Sequence, residues 1–131
     1  MTLSRRLLRF LPLALVLTAA GCATHVAVDS TASPVATYNW GTLKGDIKGD
    51  LDSTFHATNV ALDNLGYFRV GQNVGKSEIE VIARGIQDIK VTVDLTPSKI
   101  DGCTTVAIEV GGGNLPKSQA IFTAINKQLG N

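Results

Sequence analysis

The steadiest alternation of apolar and polar positions in the chain runs through Ile89, Val91, Val93 and Leu95, interleaved with Lys90, Thr92 and Asp94. A period of two sustained over seven residues predicts a strand with one dry face and one wet face. Thr104, Val106, Ile108 and Val110 repeat the pattern in a following strand. Glu78 to Arg84 supplies a preceding one, with Gly85 to Asp88 as its turn, and Thr96-Pro97-Ser98 opens a connection that closes at Asp101-Gly102. Tyr67 to Val70 reads as a further short strand before a turn-rich stretch from Gly71 to Ser77, and Thr37 to Ile47, rich in Tyr, Trp and Thr, predicts a first strand.

Elsewhere the period changes to that of a helix. Leu51, Phe55, Thr58, Leu62 and Leu65 recur at steps of three and four, with capping oxygens offered by Asp52, Ser53 and Thr54 and a stop at Gly66. Past the glycine run Gly111-Gly112-Gly113, Pro116 and Ser118 open a second segment in which Ile121, Phe122, Ile125 and Leu129 share one face. The predicted order is β-α-β-β-β-β-α, an α+β fold with a single antiparallel sheet of about five strands and two helices packed on one face. The domain is expected to span 37–131, long enough for one modest core, and no internal repeat or heptad array is visible.

A different pattern occupies residues 1–21. Arg5, Arg6 and Arg9 precede an apolar run from Phe10 to Ala20, which reads as a signal peptide. The run ends in Leu17-Thr-Ala-Ala-Gly-Cys22. Three readings follow. A membrane-spanning segment needs about 20 apolar residues, and Phe10 to Val28 would have to carry Thr18, Thr24 and His25 inside the bilayer. Ordinary cleavage after Ala20 would leave Cys22 a plain thiol. The favoured reading is cleavage between Gly21 and Cys22 with diacylglycerol on the Cys22 sulfur, since Ala20, Gly21 and Cys22 resemble the bacterial lipobox, although Ala19 stands where Leu is commonest. Two or more acyl chains anchor a protein stably where one binds only marginally. Ala23, rather than Asp, resembles the outer-membrane sorting pattern. Ser4-Arg5-Arg6-Leu7-Leu8 partly resembles a twin-arginine export motif, from which Arg9 departs.

Residues 22–36, with Pro34 and no sustained period, read as a lipidated tether; a second reading makes His25 to Val28 a short strand. Setting the leader aside leaves nine basic against eleven acidic residues, a net charge of −2. A nucleic-acid binder shows the opposite bias, so no nucleic-acid partner is expected.

Candidate chemistry is sparse. No catalytic residue is assigned: the only histidines are His25, in the tether, and His56, on the first helix. No cofactor is expected and no metal site, because Cys, His and carboxylates are not grouped at ligand spacing. Asp46, Asp50 and Asp52 superficially resemble a calcium loop but lack its closing glutamate, and read as solvated turn carboxylates. Cys103 reads as a buried thiol acting as a small hydrophobe. Gly111, Gly112, Gly113, Asn114, Lys117 and Ser118 form the one candidate ligand site, since backbone amides ahead of a helix can hold an anion, or the run is merely a flexible connection. Trp40 and Tyr38 read as sheet packing, with an exposed aromatic patch as the alternative.

Several stretches together resemble a family of small, functionally uncharacterised bacterial lipoproteins. They are Thr37-Tyr38 before Gly41-Thr-Leu-Lys44, then Ala61-Leu-Asp-Asn-Leu-Gly-Tyr67, Ile89-Lys-Val-Thr-Val-Asp-Leu95, Thr105-Val-Ala-Ile108 and the helix start from Ser118 to Ile125. The resemblance implies a lipidated leader followed by one α/β domain and no assigned activity. Asn114 stands where an Asp follows the glycines in the family pattern, so no acidic role carries over. The expected function is a non-enzymatic envelope module at the periplasmic face of a bacterial outer membrane. The membrane would be its partner through Cys22, and an envelope protein a second; the alternative is anion or small-ligand binding at Gly111 to Ser118.

Overall fold

The computed structural model describes residues 24–27 and 35–131. The elements are β1 (Thr24–Ala27), β2 (Val35–Asn39), β3 (Thr42–Lys48), α1 (Leu51–Asn64), β4 (Phe68–Val74), β5 (Ile79–Arg84), β6 (Lys90–Pro97), β7 (Cys103–Val110) and α2 (Leu115–Gln128), with a 3-10 turn at Ile86–Asp88. The fold is α+β, one open sheet ordered β1-β2-β3-β7-β6-β5-β4 in which every neighbouring pair is antiparallel.

Six strands have five or more residues and the four-residue β1 adds a seventh, against the five or so expected. The difference arises in two places. The predicted strand Thr37 to Ile47 is a hairpin, β2 and β3, folded at Trp40-Gly41, whose φ angles of +49° and +83° match the mirror-image turn that suits strand twist. That turn favours Asn-Gly; a tryptophan held there costs about 1–2 kcal/mol, which is why the break was not legible. Similarly, β4 continues to Val74 through the stretch read as turns, with a bulge between Arg69 and Gly71 absorbing the irregular sequence. The sheet also reaches into the segment read as a tether, since Val26 pairs with Ala36 and Ala36 is fully buried.

Alternation places Leu43, Ile108, Val93 and Val81 in one row across the dry face, flanked by rows containing Val106, Leu95 and Ile79, and Val110, Val91 and Ala83. Both helices cover this face: α1 buries Ala57, Ala61 and Leu62, and α2 buries Ile121, Phe122 and Ile125. The Phe122 ring lies over Gly45, where a Cβ would come within 3.0 Å of it.

The helix ends explain their own positions. Asp50, not the residues after it, caps α1, its Oδ1 accepting from Ser53 N at 2.7 Å, and this bond holds the Asp50 carboxyl below the usual carboxylate range. At the far end Gly66 adopts φ +82°, letting Tyr67 N donate to Leu62 O at 3.0 Å and Gly66 N to Asp63 O at 3.1 Å. No described helix is long and apolar enough to cross a membrane.

Candidate functional site

The glycine run joins β7 to α2 with φ of +56°, +79° and +137° at Gly111, Gly112 and Gly113. Its amides are largely engaged by the protein. Gly111 N donates to Lys90 O at 2.8 Å and Gly113 N to Val110 O at 2.9 Å. Asn114 caps α2, its Oδ1 accepting from Lys117 N at 3.1 Å, while buried Ser118 donates from Oγ to Asn114 O at 2.8 Å. What the glycines permit is close approach: a Cβ on Gly41 would lie 2.7 Å from Gly112 O, and one on Gly113 would lie 3.2 Å from the Gly41 Cα. The run therefore seats the Trp40-Gly41 turn against the start of α2.

Other candidates are dispersed. Asp46 lies on the wet face and accepts from Thr105 Oγ1 at 2.6 Å, Asp50 is a helix cap, and Asp52 is exposed in the first turn of α1. Among the described residues no three Cys, His, Asp or Glu side chains group to hold a metal. His56 is exposed and shares a shallow hollow with Asp52 and Ser53, but among the described residues no side-chain hydrogen bond joins any two of the three. Cys103 is half-buried at the start of β7 rather than buried. Trp40 is not packed in the sheet but 91% exposed, whereas Tyr38 packs partly against the core. Gly21 and Cys22 lie outside the described residues.

On the wet face Asp94 stands directly opposite Glu80. Partial burial pushes its carboxyl above the ordinary range, reinforced by Glu80, Glu78 and Glu109. A raised carboxyl makes the folded state bind the proton more tightly, so stability falls as pH rises from the unfolded value through the folded one. Asp94→Asn is therefore expected to stabilise the fold at neutral pH by less than about 1 kcal/mol, given solvent screening. The gain should vanish in acid; thermal melts across the carboxylate range check it, and a gain independent of pH would refute the assignment.

The feature only partly foreseen from the sequence is β4, read as a short strand from Tyr67 to Val70 but running to Val74. It is the outermost strand, hydrogen-bonded on one side to β5, and all seven residues are exposed. Phe68, Val70 and Val74 are 60% exposed or more. Arg69 is held away by a two-bond pair with Asp63 at the end of α1, Nε to Oδ1 at 3.0 Å and Nη2 to Oδ2 at 3.1 Å. An apolar strand beside alternating strands was the available signal, hidden by Gly71 and Asn73.

No curated protein matches the chain. The family described as "Protein of unknown function (DUF3568)" matches residues 6–128, nearly the whole sequence, and the chain belongs to that family.

Proposed function

We propose that the chain is a non-enzymatic lipoprotein of the bacterial cell envelope, held at the periplasmic face of the outer membrane by lipid on Cys22. There it recognises another envelope protein by strand addition to β4. The observation carrying this reading is the β4 edge: seven exposed residues with three large apolar side chains, no proline and no lysine to discourage pairing. An added strand would gain main-chain hydrogen bonds, with Phe68 and Val74 offering contacts for alternate side chains.

The edge and the anchor are tested separately. A photo-crosslinking residue at position 70, introduced into the full chain in native membranes, should capture a defined protein well above a control at position 127 on α2. Equal background from both positions overturns strand addition. Intact mass of native protein, with Cys22→Ala as reference, should show acylation that the variant lacks; a native mass without acyl groups overturns the anchor.

A further inference from the structure

We propose that the end of the sheet carrying Trp40 is a membrane-facing surface that rests on the bilayer interface. The inference rests on the reading of Cys22 as the lipid-bearing residue. It follows from where the chain enters the fold. Thr24, the first described residue, lies opposite Tyr38, only two residues from Trp40. The registers carry the same end across the sheet. Tyr38 faces Leu43, Thr42 faces Glu109, Val110 faces Val91, and Arg84 faces both Lys90 and Phe68. Thr24, Trp40, the glycine run, the Ile86 turn and the end of α1 thus share one end of the domain. Only Ala23 separates Cys22 from Thr24, two residue steps with a reach of at most about 7 Å, so acyl chains on Cys22 would hold this end against the headgroups.

That end is built for such contact. Trp40 is 91% and Ile86 84% exposed, and Leu65 stands beside Ile86 and Lys117 at a cleft of about 260 Å³. The Gly41 turn packs on Gly112 and Gly113, and Gly111 adjoins Ile89 in the same cleft, so Trp40 and the cleft belong to one continuous surface. With Arg69 paired to Asp63 and Arg84 near Asp88, Lys90 and Lys117 are the cations at this end that make no ion pair among the described residues. Tryptophan and lysine are the side chains that suit a headgroup boundary. The strained backbone at Trp40 strengthens the argument. A bulky residue at φ +49° that is 91% exposed gains little packing in return for its strain, which points to a contact outside the protein.

Trp40 is the single tryptophan, so its fluorescence reports this surface alone. The test uses native full-chain protein, its Cys22 acylation read by intact mass, reconstituted in phosphatidylethanolamine/phosphatidylglycerol vesicles. Relative to Cys22→Ala in buffer, Trp40 emission should shift to the blue. Acrylamide quenching should fall several-fold, and lipids with brominated acyl chains should quench. Acylated protein whose Trp40 stays as open to acrylamide as in buffer overturns this inference while the anchor stands. Unacylated protein whose Trp40 is nonetheless quenched by brominated lipid upholds the surface while the anchor fails; neither acylation nor quenching overturns both. A second readout excludes a folding role: Trp40→Asn, suited to this turn, should keep or raise the melting temperature, and a clear drop would overturn the proposal.

Discussion

Replacing Phe122 with alanine is expected to cost about 3–5 kcal/mol of folding stability, a large share of the roughly 5–15 kcal/mol that holds a domain of this kind together. Phe122 is fully buried and heads the largest buried side chains. Its ring fills the space above Gly45, which has no side chain to move into a vacated volume. Ala36 closes the other side of the same space, 3.1 Å from where a Gly45 Cβ would lie, and is too short to fill it. The cavity should therefore persist, which puts the cost toward the upper part of the range. Denaturant unfolding of the two proteins measures it directly, and a loss below about 1 kcal/mol would mean that the core collapses around the site. The reciprocal change sharpens the test. Gly45→Ala alone should destabilise by about 1–3 kcal/mol through overpacking, but in the Phe122→Ala background the added methyl is freed of the ring and meets only the Ala36 Cβ. The two substitutions should then couple favourably in a double-mutant cycle.

That ring-over-glycine contact also marks the limit of what the sequence discloses. The apolar face of α2 was legible because Ile121, Phe122 and Ile125 recur at helical spacing, and all three are buried. The dry rows of β6 and β7 were legible for the parallel reason, strict alternation. Which strand lies under Phe122 was not, because pairing β3 with β7 joins Leu43 to Ile108, contacts that no local period encodes. The hairpin turn was hidden by its chemistry, since Trp40 occupies a position where asparagine or glycine is the usual signal. For the candidate surfaces the loss was greater. Gly111 to Ser118 has the composition of a phosphate loop, yet Gly111, Gly113, Lys117 and Ser118 all donate their amides to protein oxygens. Only the folded chain brings those donors and acceptors together, just as only strand order puts Phe68, Val70 and Val74 on an edge.

Gly41→Ala is expected to be the most damaging small substitution outside the core, at about 2–4 kcal/mol. Two separable costs add. A φ of +83° penalises any residue with a Cβ by about 1–2 kcal/mol. In addition the methyl would sit 2.7 Å from Gly112 O and 3.1 Å from the Gly113 Cα, backbone atoms that cannot rotate aside. Relief requires the β2–β3 turn and the loop before α2 to move apart, at a further cost of about 1–2 kcal/mol. Gly112→Ala separates the two terms, because Gly112 has a similar φ of +79° but nothing within 4 Å of its ideal Cβ. It should pay the conformational cost alone. Unfolding midpoints give the ordering, and equal losses at the two positions would show that the close approach contributes nothing. The structural consequence is local: hydrogen exchange should accelerate around Tyr38 to Leu43 and Gly111 to Asn114, leaving α1 and β4 protected as before. Because this close backbone approach seats the turn against the loop, its loss should also loosen the backbone at Trp40, with the sheet beneath left intact.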